Sequence, residues 1–188
     1  MKLRSYDMIT VTGAKGSGKS YLERQLLKGY QHIFVFDTLD EFPEYPRYIP
    51  KTNDPMELDE VCRIVNNHGN IMMLVSEAEM FLPVVPIQLP PNVMEIATRG
   101  RHRNVSMILD TRRIANLNKT AFSLSEFAFI FRTWSPNDID YLAKFLPDDN
   151  ALKLNTLKDY YFMVSHRGEC TVNEPLPFTG DTNVGKEQ

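Results

Sequence analysis

Apolar residues along the chain follow two alternating rhythms. Met8-Ile9-Thr10-Val11-Thr12 is a short apolar, β-branched run, which predicts a strand. Over 20–28, Leu22, Leu26 and Leu27 recur at helical spacing and Gly29 closes the segment, which predicts a helix. Further strands are predicted at 32–36, 71–75, 105–109, 127–131 and 160–165, and further helices at 56–67, 93–101 and 137–146. His166-Arg167-Gly168 should turn the chain into a last strand over 169–172, giving a β-hairpin. The run 71–75 is apolar on both faces. Strand–helix alternation with near-continuous apolar strands predicts an α/β fold: a mainly parallel central sheet, helices on both faces and a C-terminal hairpin. Prolines 43, 46, 50 and 55, and again 83, 86, 90 and 91, mark two loops. The expected organisation is one domain over 1–177 and a mobile polar tail over 178–188.

Composition narrows the class. Of 188 residues, 43% are hydrophobic and 24% charged, which excludes a disordered or collagen-like chain. A chain of this size can bury roughly 70% of its unfolded surface, enough for a core without staples. No apolar run approaches the ~18 residues that span a bilayer, so an integral membrane protein is not expected. The first residues carry no long apolar core after their basic side chains, so neither is a secretory leader. Cys62 and Cys170 make no metal spacing and fit a reducing compartment. Net charge is −3, so any attraction for nucleic acid must come from a local basic site.

Chemistry should lie just beyond the carboxyl ends of the strands. The first strand is followed by Gly13-Ala14-Lys15-Gly16-Ser17-Gly18-Lys19-Ser20, the G-x-x-x-x-G-K-S pattern of a phosphate-binding loop. Its amides and the following helix's positive end would cradle phosphates. Lys19 would reach the β- and γ-phosphates, and the Ser20 hydroxyl would ligate Mg²⁺. The third strand ends Leu74-Val75-Ser76-Glu77-Ala78-Glu79. Glu77 falls where a catalytic base polarises water, Ser76 where an Asp commonly holds the metal, and Glu79 is a second carboxylate. Ser76 would serve the Mg²⁺ shell as a neutral oxygen; the plain alternative makes both glutamates solvated helix-start acids. Asp37 ends the second strand and either lines the site or forms a turn.

Arg99, Arg101, Arg103, Arg112 and Arg113 cluster beside His102, with Asp110 opposing. The strand over 105–109 divides them. Arg112 and Arg113 follow its carboxyl end, whereas the earlier ones lie at its other end, open to a neighbouring subunit. One of those, Arg101 first, could be a finger against a neighbour's γ-phosphate, and others could meet DNA phosphates; a solvated basic face is the alternative. The scattered histidines suggest no metal cluster, and Trp134 with the other aromatics is assigned to core packing.

The order phosphate loop, Phe36-Asp37 with Glu41, Leu74-Val75-Ser76-Glu77-Ala78, Arg99-Gly100-Arg101-His102-Arg103, an apolar strand and Thr111-Arg112-Arg113 resembles the FtsK–HerA superfamily of P-loop ATPases, which pump double-stranded DNA. The resemblance runs from about Met8 to about Val172. It implies a RecA-like P-loop NTPase fold, ATP and Mg²⁺ as cofactors, double-stranded DNA as partner and a homo-oligomeric ring, usually hexameric. Two positions depart from the family pattern: Ser76 replaces its Asp, and Arg112 replaces its sensor glutamine, where a guanidinium could still sense γ-phosphate. A bare ATPase core of this size resembles the genome-packaging ATPases of membrane-containing viruses. That implies work in the host cytoplasm or with the virion, and docking on a capsid or membrane-vertex protein. The loop over 83–91 and the loop 115–119 with Lys119 are candidate channel or interface elements. A nucleoside-type small-molecule kinase and a slow nucleotide-binding assembly module are the competing classes.

Overall fold

The computed structural model describes residues 7–86 and 88–177. The expected 178–188 tail lies outside the described residues. Eight strands form one sheet in the order β3-β2-β4-β5-β1-β6-β7-β8. They are β1 (Met8–Thr12), β2 (Ile33–Phe36), β3 (Arg47–Tyr48), β4 (Met72–Val75), β5 (Ser106–Thr111), β6 (Phe127–Phe131), β7 (Phe162–His166) and β8 (Glu169–Asn173). All neighbours from β3 to β6 are parallel; β6, β7 and β8 pair antiparallel. The β7–β8 hairpin turns through Arg167 and Gly168, both in the left-handed region (φ 49° and 81°) that a tight two-residue turn requires.

Successive side chains on each strand point to opposite sides, and along the central strands β4, β5, β1 and β6 both faces are buried. Met73 and Val75 join one core with α2 (Pro55–His68), α3 (Pro91–Arg99), α4 (Lys119–Ser123), α5 (Pro136–Leu142) and α6 (Asn150–Lys153). Met72 and Leu74 join the other with α1 (Lys19–Leu27), through Leu22 and Leu27. The helices thus cover both faces, as expected, but unevenly. Asp59 of α2 is buried and accepts from the Asn92 backbone N–H (2.7 Å) and side-chain amide (2.6 Å), capping α3 from its neighbour. Among the described residues no helix is long and apolar enough to cross a membrane.

Three short elements depart from the pattern reading. β3 lies inside the first proline cluster, where a two-residue edge strand tolerates flanking Pro46 and Pro50. α4 begins at Asn118, whose side chain accepts from the Thr120 N–H at 2.9 Å. α6 spans four residues, too few for an amphipathic period to show. The helix expected over 93–101 stops at Arg99 and tightens into a 3₁₀ turn, Gly100–His102. A Cβ on Gly100 would stand 2.6 Å from the Val105 carbonyl oxygen, so glycine is required there by close approach. Gly100 is itself buried; the exposed part of the turn begins at Arg101.

Candidate functional site

Because β1, β4 and β5 run parallel, their carboxyl ends open on one edge of the sheet. The loop from Gly13 to Gly18 leaves β1 there. A Cβ on Gly13 would meet Phe131 Cβ at 2.6 Å, so only glycine lets the loop lie against β6. Gly18 precedes α1 with φ 106°, and α1 has neither a side-chain cap nor an acid in its first turn. Its leading N–H groups are therefore left for an anion from outside. Lys15 and Gly16 form the exposed rim, with Ala14, Ser17 and, in the first turn of the helix, Ser20 half-buried. Lys19 is buried, donates to the Gly13 carbonyl oxygen at 2.9 Å, and lies 3.8 Å from Asp110 Oδ1.

Carboxylates surround that lysine. Glu77 follows β4 in a left-handed conformation (φ 51°) and is mostly buried. Arg112 Nε approaches Glu77 Oε1 to 2.6 Å. Burial, then the charges of Glu79 and Asp110, push the Glu77 carboxyl up to about 7, against the opposing pull of Arg112 and Lys19. Glu79 accepts from the Arg112 backbone N–H at 3.0 Å, which fixes the chain leaving β5. Asp110 pairs in register with Val11 of β1 and is buried; its Oδ1 accepts no hydrogen bond. Beside it Glu23 of α1 is fully buried, and neither of its oxygens accepts a hydrogen bond. Burial pushes Glu23 well above the usual carboxylate range, and Asp110 adds to the push. Burial raises the Asp110 carboxyl as well, so the two acids behind Lys19 share a dry site that disfavours the ionisation of both together.

Ser76 faces elsewhere. Its Oγ accepts from the Thr38 N–H (3.1 Å) and its carbonyl accepts from the Thr38 hydroxyl (2.7 Å), joining β4 to the end of β2. Asp37 is a turn former: its two oxygens accept from the Glu41 and Phe42 N–H groups, both at 2.9 Å. Next to the loop, Arg132, Trp134, Asp159 and Tyr160 complete a polar depression of about 180 Å³. Trp134 is 63% exposed there, with the Arg132 guanidinium 5.5 Å from its ring centre, so its assignment to core packing is corrected. The end of β6 carries it past the sheet into solvent.

No protein-family model and no curated protein matches the chain. Solved structures do. The genome packaging NTPase B204 from Sulfolobus turreted icosahedral virus 2, in complex with ATP-gammaS, superposes with a TM-score of 0.83 at 20% identity, over 93% of this chain and 100% of that one. The DNA-packaging ATPase B204 from Sulfolobus turreted icosahedral virus gives 0.82 at 20% identity, over 93% and 100%. The cytoplasmic domain of the Thermomonospora curvata type VII secretion ATPase EccC gives 0.61 at 12% identity, over 92% of this chain and 25% of that one. The chain has the RecA-like P-loop NTPase fold. β5 lies between the phosphate-loop strand β1 and the acidic strand β4.

Of the residues singled out from sequence, this NTPase fold gathers Lys19, Ser20, Glu77, Glu79 and Arg112 on one edge. Arg101 is set at the opposite edge, before the amino end of β5, with Arg99 and Arg103. Those guanidinium groups are exposed and make no ion pair among the described residues. Arg113 is structural: it donates to Asp138 Oδ2 at 2.9 Å and to Ser135 Oγ at 3.0 Å, tying β5 to the start of α5. The two loops proposed for a channel are joined to each other, since Pro83 bridges Leu117 and the buried Asn118 donates to Leu82, Pro83 and Pro86 carbonyls. Lys119 is exposed beside them. Asp110 and Glu23 escaped the sequence reading as site residues. The available signal was an acid inside an apolar strand and another on the apolar side of the first helix.

Proposed function

We propose that this chain is an ATP-hydrolysing motor that moves double-stranded DNA, working as a homo-oligomeric ring, hexameric by resemblance, to package a viral genome. The observation that carries the hydrolytic part is the convergence of Lys19, Glu77 and Arg112 at the uncapped start of α1. Likeness over 93% of the chain to two NTPases described as packaging genomes or DNA supports the motor part. Work in the host cytoplasm or with the virion, and docking on a capsid or membrane-vertex protein, follow from the same reading.

Lys19 exchanges the Gly13 carbonyl for phosphate oxygens when triphosphate enters, and the loop amides bind the rest of its charge. The ionised Glu77 takes a proton from a water whose oxygen bonds to the γ-phosphorus, while the bond to the bridging oxygen of the diphosphate breaks. Arg112 orients Glu77 before attack and lies where it can answer the γ-phosphate charge. Mg²⁺ fits the donors present, since the Ser20 hydroxyl and the buried Asp110 Oδ1, which lacks a hydrogen bond, are hard oxygens, whereas the Ser76 hydroxyl is engaged by the Thr38 N–H. When bound, the ion offsets charge on the β- and γ-phosphate oxygens. Arg101 of an adjacent subunit completes the site.

The test is ATP turnover with and without double-stranded DNA, with the mass of the particle measured in solution. DNA-stimulated turnover by a ring is expected, and Lys19→Ala should abolish it in a folded protein. A monomer that ignores DNA and phosphorylates a nucleoside would overturn the proposal in favour of a kinase.

A further inference from the structure

Three segments meet beyond the amino ends of β2, β4 and β5, at the edge of the sheet opposite the phosphate loop: 28–32, 67–70 and 98–104. Backbone hydrogen bonds hold them in place. The Asn70 N–H donates to the Arg103 carbonyl at 2.7 Å, and the Met72 N–H to the His32 carbonyl at 2.9 Å. The Arg103 and Val105 N–H groups both donate to the Gly100 carbonyl, at 3.0 and 2.9 Å. A Cβ on Gly69 would stand 3.0 Å from the Arg103 carbonyl oxygen, so the second segment lies directly against the third. These are fixed turns on the ends of sheet strands rather than loose loops.

Their side chains share one chemistry. Lys28, His32, His68, Arg99, His102 and Arg103 are all exposed, beside Arg101. None of the lysine and arginine groups makes an ion pair among the described residues. Gln31, Asn67 and Asn70 add exposed carboxamides. No aspartate or glutamate occurs in the three segments, although the two types supply 24 of the chain's 188 residues. Carboxylates gather instead at the other edge, where Asp37, Glu77 and Glu79 follow their strands and Asp110 nears the end of its own. A chain of net charge −3 thus carries one cationic edge whose field is not cancelled locally.

That composition selects the partner. A protein interface is centred on apolar and aromatic groups and is poor in lysine, and a surface seated on a membrane needs an apolar face. No large apolar side chain is exposed in the three segments. Guanidinium, ammonium, imidazole and carboxamide N–H groups are donors for phosphate oxygens, and duplex DNA presents one charge per about 1.7 Å of its axis. α1 covers one face of the sheet and α2 and α3 the other. Lys28 therefore lies on one side of the edge and His68 and Arg99 on the other, with His32 and Arg103 between them at the strand ends. The donors form a band across the edge rather than a pocket, as a rod-shaped polyanion requires.

We propose that this amino-end edge grips the phosphate backbone of duplex DNA, by charge and without reading sequence. The inference rests on the DNA-motor reading and adds to it where the duplex lies: away from the nucleotide and away from Lys119. Two elements then join the DNA contact to the nucleotide edge. α1 begins at Lys19 and ends beside Lys28, and β5 is preceded by Arg103 and followed by Arg112. Arg101, assigned to a neighbouring subunit's site, is not needed for the grip.

The experiment measures binding of a short duplex of mixed sequence to the full chain by fluorescence anisotropy over a series of salt concentrations, with basal and DNA-stimulated ATP turnover alongside. The logarithm of affinity should fall linearly with the logarithm of salt, and Lys28→Ala should reduce that slope by about 1, the loss of one phosphate contact. Lys28→Glu combined with His32→Glu should weaken every duplex sequence by at least about tenfold, remove stimulation by DNA and leave basal turnover unchanged. Both positions are exposed, so the melting temperature should stay at the parent's. Parental affinity and slope in these variants, or a loss confined to Lys119→Ala, would overturn the edge and leave the motor standing. Poly-glutamate bound as tightly as the duplex at equal salt would give the edge to an acidic protein instead. A parent that binds no duplex at any salt would remove the DNA reading itself.

Discussion

Arg112 Nε lies 2.6 Å from Glu77 Oε1, so the carboxylate proposed to activate water is held by the guanidinium that follows β5. The backbone supports the pairing from both sides. Glu77 is fixed in a left-handed conformation at the end of β4, and the Arg112 N–H donates to Glu79. On the proposed mechanism, nucleotide that draws Arg112 toward its γ-phosphate would free Glu77 at the same moment and so couple occupancy to activation.

Glu77→Gln keeps the shape of that pair and removes the base. Its nucleotide affinity should stay near that of the parent while hydrolysis falls by roughly 10²–10⁴. Stopped turnover beside unchanged equilibrium binding is the expected pair of readings. A rate near the parent's would transfer the role to Glu79.

The pH dependence has a definite sign. Glu77 acts as a base only when ionised, and burial with the Glu79 and Asp110 charges raises its carboxyl to about 7. Turnover should therefore climb as pH rises through about 7. Arg112→Gln removes a cation that favours the ionised form, so its midpoint should move to higher pH as its rate falls. Stability runs the other way. A carboxyl whose folded pKa is raised contributes most below its ordinary value and loses that contribution as pH rises through about 7. Melting curves of Glu77→Gln should show a weaker loss over that interval.

Much of this site was legible because short-range chemistry dictates it. The glycines of 13–18 and the Lys19-Ser20 pair announce the phosphate loop, and β1 and β6 begin and end where their apolar runs do. Glu77 and Arg112 were named from their places after strands. Their ion pair was not, since it joins β4 to β5 across positions far apart in sequence. Glu23 was hidden for a different reason: an acid on a first helix ordinarily faces solvent, and only the tertiary fold buries it. Trp134 and Tyr160 were misjudged because aromatic content near a strand cannot tell a core face from the strand's end. β3 and α6 are shorter than any period that patterning can reveal.

Glu23→Gln should be tolerated, unlike most substitutions of a fully buried residue. Burial and the Asp110 charge push the Glu23 carboxyl toward its neutral form, and glutamine keeps that form's size, neutrality and a donor for Asp110. The parent should lose stability as pH rises through the raised value, because an ionised Glu23 would face Asp110 in a dry interior. Glu23→Gln should melt at or above the parent temperature at alkaline pH, with the gap narrowing toward acid pH. Glu23→Ala, which leaves both a cavity and an unpaired Asp110, should cost about 2–4 kcal/mol in denaturant unfolding.

Arg101 offers the sharpest test of the ring. β5 has six residues and spans about 20 Å, and Arg101 lies before its amino end while Lys19 lies at the other edge of the sheet. A side chain cannot cross that distance within one subunit. Yet Arg99, Arg101 and Arg103 are exposed without ion pairs among the described residues, in a chain whose net charge is −3. The rigid Gly100 turn, packed against the Val105 carbonyl, presents Arg101 at a fixed place rather than on a loose loop. A guanidinium supplied by a neighbour is worth roughly 10³–10⁵ in rate, so Arg101→Ala should hydrolyse ATP slowly while binding it normally. Mixed with Glu77→Gln subunits, it should recover part of the parent rate, because wherever an Arg101→Ala site receives the arginine of a Glu77→Gln neighbour an intact base meets an intact arginine. Recovery in mixtures of Arg99→Ala or Arg103→Ala but not Arg101→Ala would move the finger to its neighbour. Absence of recovery in every mixture, with particle mass unchanged, would confine catalysis to single subunits.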